Sequence, residues 1–214
     1  MEVSSAVSLD VSGINLSSLG GSCESHEDFL RLLAQAAAES LGSGDTADGV
    51  DLHSVDRLDL SRCSLGPKGL EKLLGFLPSC LPSLKSLSLV RNAITSTGGR
   101  TIGRFLREGN TQLEELNLGL NDINAGGGDP PAAEIISAAL TCKSTSLGTL
   151  LLEKCALGPR GASLLAAGLL ENGTVHTLEL SGNMIGPLGA TTLFDALKQN
   201  ATLTNLGLRM NRIG

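Results

Sequence analysis

The chain has 214 residues, of which 41% are hydrophobic, and it contains no Trp and no Tyr. This hydrophobic content predicts a buried core. The formal net charge is −6, and most of the acidic excess lies in residues 1–57, which carry ten acids and two bases. An acidic chain without a concentrated basic patch argues against nucleic acid or an anionic membrane surface as its partner.

One motif, L-x-L-x-x-(N/C)-x-(I/L), recurs along the chain. Its first Leu stands at position 9, in a degenerate copy, and then at positions 58, 87, 116, 150, 178 and 206. Four of the six intervals are 28 or 29 residues. A period near 28 residues predicts stacked units that share their apolar faces with their neighbours. We therefore expect one elongated repeat domain over residues 1–214.

Residues 1–54 form the degenerate first unit. Its interval to the next motif is about 21 residues longer than a regular unit. Ser25 and Asp28 are typical of a helix amino terminus, and an apolar helical face continues from Phe29. The segment 42–54 begins with small, acidic and turn-forming residues, which predict an exposed loop insertion. This insertion is either a partner-binding loop or a tolerated surface feature.

The regular units occupy residues 55–214. In Leu87-Ser88-Leu89 apolar and polar residues alternate, as in a strand with one buried face. An Asn or Cys then stands where a buried side chain can bond backbone groups of the turn. The predicted turn positions are Cys63, Asn92, Asn121, Cys155, Asn183 and Asn211. Helical spacing follows, as in residues 158–171, so each unit is predicted as strand, turn and helix.

Two further irregularities interrupt the pattern. Residues 124–131 contain three Gly and two Pro. They predict a bulged connection rather than a phosphate-binding loop, because no Lys follows the glycines as that loop requires. The sequence stops at Gly214, before the helix of its last unit, so we expect either a truncated chain or one that packs on something else.

The segment 178–197, LELSGNMIGPLGATTLFDAL, closely resembles the long leucine-rich repeat of ribonuclease inhibitors. The same repeat type occurs in Ran GTPase-activating proteins and in the sensor regions of nucleotide-binding immune receptors. The resemblance covers residues 55–214 strongly and 1–54 weakly. It implies an α/β fold, a right-handed β-α superhelix in the form of a leucine-rich-repeat solenoid. In this horseshoe arc a parallel sheet lines the concave side and helices cover the convex side.

Outward-facing residues of the predicted sheet form the candidate partner-binding surface. They stand one or three residues after the first strand Leu and are mostly polar and small. The candidates are Asp59, Ser61, Ser88, Asn117, Glu153, Glu179 and Arg209. Glu153 and Glu179 are expected to be diagonal neighbours about 5–8 Å apart. Such a pair is typical of glycosidase acid–base chemistry, but on an open sheet two solvated glutamates are the favoured interpretation.

No other pattern predicts catalysis, a metal or a cofactor. The three histidines, His26, His53 and His176, lie in different units without Cys or acid at metal-ligand spacing. Nucleophilic triads also lack their residues. One predicted helix carries a basic stripe, which either docks an acidic partner segment or is a solvated face. The stripe consists of Arg100, Arg104 and Arg107.

Cysteine usage and the absence of targeting patterns predict an intracellular protein. The five Cys are an odd number, and two of them occupy turn positions of distant units, so no disulfide framework is expected. The first ten residues lack a signal-peptide pattern, and no apolar run approaches the length of a membrane span. We expect a cytoplasmic location, with the nucleus left open. Asn172 and Asn200 match a glycosylation triplet but occupy equivalent repeat positions, so we interpret them as part of the repeat.

These features favour a non-enzymatic scaffold that binds a partner protein through the concave sheet surface and adjoining loops. The resemblance leaves two alternatives. One is a regulator that stimulates a small GTPase, although no residue here matches an activating role. The other is the ligand-sensing region of an immune-type receptor, which requires a nucleotide-binding module that this chain lacks. The leucine-rich repeat is reused for many partners, so the sequence predicts the fold more specifically than the activity.

Overall fold

The computed structural model describes residues 7–17, 23–41, 52–108, 112–124, 133, 136–137, 140–141 and 146–214. Most of the two predicted insertions, 42–54 and 124–131, lies outside the described residues. Of the first insertion only residues 52–54 are described, as a short 3₁₀ helix. Of the second only Asn124 is described.

Seven strands form one parallel sheet in chain order, which confirms the predicted parallel sheet. Neighbouring strands are in register, so the first motif Leu of each unit pairs with that of the next, from Leu9 to Leu206. The strands are β1 (Val7–Asp10), β2 (Val55–Asp59), β3 (Ser86–Ser88), β4 (Glu115–Asn117), β5 (Thr149–Leu151), β6 (Thr177–Glu179) and β7 (Asn205–Gly207).

Helices cover one face of this sheet. The strand leucines and the apolar helix residues belong to one continuous core, whereas the alternate strand residues on the other face remain partly exposed. The long helices are α1 (His26–Leu41), α2 (Gly66–Cys80), α3 (Ser96–Glu108), α4 (Gly158–Glu171) and α5 (Gly186–Leu197). This arrangement, strand and helix repeated along one axis, is the predicted solenoid. We call the uncovered side the open face.

The first unit has the predicted helix start but distributes its extra residues differently. Ser25 Oγ accepts the Asp28 N–H at 3.1 Å, and the Asp28 carboxylate accepts the Ser25 N–H at 3.1 Å, which confirms the capping pair. Residues 11–25 separate β1 from α1, whereas only 60–65 separate β2 from α2. Part of the extra length of the first unit therefore precedes the helix, whereas the prediction placed all of it in the loop that follows.

The motif Gly eleven residues after the first Leu lets each helix pass close to its own turn. A Cβ on Gly98 would lie 2.6 Å from Cγ2 of Ile94, and a Cβ on Gly189 would lie 2.6 Å from Cγ2 of Ile185. Real Cβ atoms do not approach so closely, so a larger residue would push the helix away from the core. This spacing explains why Gly belongs to the repeat.

After β2, β3, β5, β6 and β7, the residues on both sides of the motif Asn or Cys lie in the left-handed region, whereas at Asn121 only the preceding Leu120 does. Around Asn92, Arg91 has φ 56° and Ala93 has φ 53°; around Cys155, the flanking residues Lys154 and Ala156 have φ 53° and 54°. A non-glycine residue in this region costs about 1–2 kcal/mol. The turn therefore depends on side-chain hydrogen bonds that compensate for this strain.

Those hydrogen bonds come from the motif asparagines, which are buried and connect successive units. Asn183 Oδ1 accepts the N–H groups of Cys155 and Leu157, in the preceding unit, at 2.8 and 3.3 Å. Its Nδ2 donates to the carbonyls of Leu152 and Leu180 at 2.6 and 2.9 Å. One side chain thus satisfies backbone groups of two units that would otherwise be buried without partners.

The same contact repeats, so the side chains form an asparagine ladder through the stack. Asn121 Oδ1 accepts the Asn92 N–H at 2.9 Å, and Asn92 Oδ1 accepts the Cys63 N–H at 3.0 Å. Asn211 bonds the Asn183 N–H in the same way at 2.8 Å. Cys155 lies between the two halves of the ladder. Its thiol donates to the Leu118 carbonyl at 3.2 Å and thereby takes the place of the amide donor.

A second pair of asparagines holds the opposite end of the units, where each helix returns to the next strand. Asn172 Nδ2 donates to the Leu140 carbonyl at 2.7 Å, and Asn200 Nδ2 donates to the Leu169 carbonyl at 2.7 Å. Both side chains also accept backbone N–H groups of the following turn. The amide nitrogens that a glycan would need are therefore occupied, in agreement with their interpretation as part of the repeat.

Replacing Asn183 with Leu is expected to lower the free energy of unfolding by about 3 kcal/mol, because at least two buried N–H groups and two carbonyls lose their partners. Chemical denaturation of the wild type and the Asn183→Leu variant measures this. Unchanged stability would contradict the role assigned to the asparagine ladder.

Replacing Ala93 with Gly is expected to raise the free energy of unfolding by about 0.5–1 kcal/mol, because Ala93 is exposed and its left-handed backbone suits Gly. The matched control is Ala167, which is exposed in the middle of α4. There the same change should lower the free energy of unfolding by about 1 kcal/mol. Two shifts of the same sign would contradict the strain assigned to the turn.

Candidate functional site

The structure places the candidate partner-binding residues on the open face, in two rows that cross the strands. One row stands one residue after the first strand Leu and is continuous by register, with Asp59 beside Ser88 and Ser88 beside Asn117. The same row continues through Leu151 to Glu179. The other row, two residues further along, contains Ser61, Glu153 and Arg209. Glu153 and Arg209 are exposed, and the remaining candidates are partly buried.

Several residues of the first row are engaged in local hydrogen bonds. Asp59 Oδ1 accepts the Ser61 N–H at 2.8 Å, and Glu179 Oε1 accepts the Ser181 N–H at 2.8 Å. Asn117 Oδ1 does the same for Gly119 at 3.0 Å. Such i to i+2 bonds satisfy backbone donors where the strand ends. These acids and amides therefore stabilise the turn in addition to presenting polar atoms to solvent.

The predicted neighbours Glu153 and Glu179 do not converge on one point. The Glu179 carboxylate lies over Gly207, on the side of β7, where any Cβ would collide with it. The Glu153 carboxylate pairs with the ammonium group of Lys154 at 3.3 Å. The two carboxylates thus have different neighbours, and the geometry favours two solvated glutamates rather than an acid–base pair.

The carboxyl half of the open face forms a broad cleft of about 880 Å³ around these residues. Its lining includes Glu153, Glu179 and Arg209 together with the exposed Met210. Opposite charges, the exposed Met210 and the partly exposed Leu206 and Leu208 therefore meet solvent in the same region. This combination is suited to contact with another protein surface.

A third row on the open face was missed by the sequence analysis. Its residues precede the first strand Leu and alternate with it, so the same period of two places them outward. They are Arg57, Ser86, Glu115, Thr149, Thr177 and Asn205. The signal was present in the alternation, but the prediction covered only positions after the Leu. This row extends the polar part of the open face to the amino ends of the strands.

The cysteines in the described residues are structural thiols. Cys23, Cys63, Cys80 and Cys155 are free and buried, whereas Cys142 lies outside the described residues. Burial raises the pKa of the Cys155 thiol from 9.0 to about 12 and that of Cys63 to about 11. A raised pKa keeps these thiols neutral and unreactive near neutral pH.

No group of three or more potential metal ligands occurs among the described residues. The histidines His26, His53 and His176 lie in different units, as expected. Within the same described part of the chain, no helix combines the length and apolar character that a membrane crossing requires.

Sequence comparison shows that part of the chain is similar to a known repeat family. Four segments, 52–74, 80–103, 109–130 and 171–194, match the family described as Leucine Rich repeat. These segments include β2, β3, β4 and β6. No curated protein matches the chain.

Replacing Asp59 with Ala is expected to lower the free energy of unfolding by about 1 kcal/mol, because the Ser61 N–H loses its acceptor. Asn at the same position keeps an acceptor oxygen and should retain most of the stability. Thermal or chemical denaturation of both variants measures the difference. Equal losses in Asp59→Ala and Asp59→Asn would show that charge, rather than the backbone bond, matters there.

The stabilising effect of Cys155 is expected to decrease in alkaline solution. The folded protein keeps this thiol protonated up to a pKa of about 12, whereas the unfolded chain releases the proton above 9.0. The folded state therefore binds more protons, and stability falls as pH rises between these values. The difference in unfolding free energy between wild type and Cys155→Ala should shrink by about 2 kcal/mol from pH 8 to 10.5. A difference independent of pH would contradict the burial of the neutral thiol.

Proposed function

This chain contains leucine-rich repeats, and we propose that it is a non-catalytic scaffold that binds a partner protein across the open face of its sheet. Leucine-rich repeats are typically protein-interaction modules and are generally non-catalytic. The proposed contact residues are those of the two predicted rows, together with the adjoining loops. They are Asp59, Ser61, Ser88, Asn117, Glu153, Glu179 and Arg209.

The observation that carries this proposal is the uninterrupted open face. Seven strands lie side by side in register, and most of their outward side chains are polar, small or charged, with Leu151 as an apolar exception. The helices and the apolar core lie on the other side. Because the asparagine ladder holds the backbone, the outward residues can vary without loss of the fold, so a partner meets a preformed surface.

The two exposed candidates of the second row are the strongest candidates for direct contact. Glu153 and Arg209 are exposed and line the broad cleft of about 880 Å³. Their charges steer association and favour one orientation of the partner. Asp59, Asn117 and Glu179 also serve the backbone, so their substitution affects both stability and binding.

The free, buried thiols support an intracellular location, where reducing conditions preserve them. The two alternatives suggested by the resemblance, a GTPase regulator and the sensing region of a receptor, stay predictions. No contact among the described residues favours either of them over a general scaffold.

The test is a comparison of captured proteins between two charge-altered variants. The tagged chain carries either Glu153→Lys with Arg209→Glu on the open face, or Glu171→Lys with Arg104→Glu on exposed helix positions. Both variants change one acid and one base, so their net charges are equal. We expect the partners captured by the wild type to fall at least about tenfold with the open-face variant, as measured by quantitative mass spectrometry, and to persist with the control.

One outcome would contradict the proposal. Partners that persist with the open-face variant but disappear with the helix variant would place binding on the helices. Both variants must first show the melting temperature of the wild type, so that a loss of partners reports on the surface rather than on folding.

A further inference from the structure

A second cleft on the open face lies at the amino ends of strands β2 to β6. Its volume is about 480 Å³, and we call it the amino-edge cleft. Its lining includes Arg57, Lys85, Ser86, Glu114, Glu115 and His176. It adjoins the row that the sequence analysis missed and contains none of the seven candidate residues of the proposed function.

Two opposite charges stand at the same level of this cleft. Register places Ser86 beside both Arg57 and Glu115, so the two charged residues are separated by two strand spacings, or about 10 Å. Arg57 is exposed and Glu115 is partly buried. Within the described part of the chain, neither side chain forms an ion pair. The small Ser86 leaves the space between them open.

The edge of the cleft is held by fixed contacts. Lys85 Nζ pairs with Glu114 at 3.0 Å. The Lys85 carbonyl accepts both the Glu114 and the Glu115 N–H, at 2.7 and 2.9 Å. Lys85 and Glu114 are paired with each other, and Asp56, which also lines the cleft, alternates with Arg57 along β2 and so does not face outward. Among the described residues, Arg57 and Glu115 are therefore the unpaired charges of this cleft that lie on the open face.

The far side of the cleft is closed by a histidine ring. A Cβ on Gly148 would lie 2.6 Å from Nε2 of His176, so the ring lies directly against this glycine. Nδ1 of His176 lies 3.1 Å from the Thr177 hydroxyl, which fixes the ring orientation. Arg57 and His176 thus lie toward opposite ends of the cleft along the sheet.

The lining of the amino-edge cleft is charged and hydroxylated and includes no large apolar side chain. Pockets for small organic ligands are mostly apolar and enclosed, so this cleft suits a charged segment of another protein. On an α-helix, residues seven positions apart share a face and are separated by about 10.5 Å. In an extended strand, residues three positions apart span about 10 Å but point to opposite sides. The helix therefore matches the two charges better.

We propose that the amino-edge cleft binds a partner helix carrying an acidic and a basic side chain seven residues apart. The acid contacts Arg57 and the base contacts Glu115, so the helix lies across the strands in one direction. This inference rests on the proposed function, because it assigns one partner chemistry to the open face. Because Arg57 is positive and Glu115 is negative, one orientation of the partner helix is favoured and the reverse orientation is rejected.

The probe is a phage-displayed library of helical peptides with Glu and Arg fixed seven residues apart and the other exposed positions randomised. Two matched libraries serve as controls. One carries Glu and Arg four residues apart, and the other has both the Glu and the Arg replaced by Gln. Selection uses the wild-type chain. We expect binders from the first library only, and fluorescence anisotropy then gives their affinities.

Charge reversal tests the assigned contacts. Either Arg57→Glu or Glu115→Arg should weaken a selected peptide at least about fivefold. The double variant R57E/E115R should instead bind the peptide in which Glu and Arg are exchanged, at least about fivefold better than the wild type does. The conservative variants Arg57→Gln and Glu115→Gln provide the same comparison if a reversal disturbs folding. Glu171→Lys, at an exposed position of α4, should leave affinity within about twofold.

Three results would overturn the inference: no binder from the seven-residue library, equal selection from all libraries, or no recovery by the exchanged peptide. Peptides that respond to Glu153→Lys with Arg209→Glu but not to changes at Arg57 or Glu115 would reject the amino-edge cleft while supporting the proposed function. Peptides insensitive to every open-face change would count against both.

Discussion

The hydrogen bond from one unit's asparagine to the backbone of the unit before it is the contact on which this structure depends. Most turns leave their strand through two left-handed residues, and they bury backbone N–H groups that the unit itself cannot satisfy. Asn92 supplies the missing acceptor for Cys63 and Leu65, as Asn183 does for Cys155 and Leu157. The turn is therefore complete only when the next unit is in place. Stability is accordingly a sum of contacts between neighbours, as expected for a solenoid.

This constraint separates the part of the chain that maintains the fold from the part that can bind. The ladder and the leucines lie beneath the sheet. The open face contributes short bonds of residues such as Asp59 and Glu179 and cross-strand side-chain bonds such as that between Ser61 and Ser88. Among the described residues, no such bond is formed by the side chains of Arg57, Glu115 or Arg209. These residues can therefore change without disturbing the core. The proposed binding surfaces lie where the fold constrains the identity of the side chains least. That freedom explains why the same repeat is suited to many partners.

Much of the fold was predictable because its determinants are periodic in sequence. Leucines at a spacing of two, followed by Asn or Cys, are sufficient to predict the strand, the buried turn and the stacking. The local backbone geometry was harder to predict from the sequence. The bond from Asp59 to the Ser61 N–H depends on a backbone angle that no residue type specifies, and Arg91 or Ala93 gives no sign of a left-handed conformation. The surplus of the first unit was assigned to one loop because the acidic, glycine-rich composition after α1 marked a loop there. The length of the segment between β1 and the helix start at Ser25 was not taken into account. Arg57 and Glu115 were overlooked although the alternation of the strand already placed them outward.

Amide hydrogen exchange tests most directly whether neighbouring units depend on the ladder. In the Asn92→Ala variant, the account predicts that the amides of Cys63 and Leu65 exchange much faster than in the wild type, because they lose the Asn92 oxygen. The amides of Cys155 and Leu157, which are held by Asn183 far along the stack, should keep their protection under the same conditions. Unchanged exchange at Cys63 and Leu65, or an equal increase along the whole chain, would contradict the account.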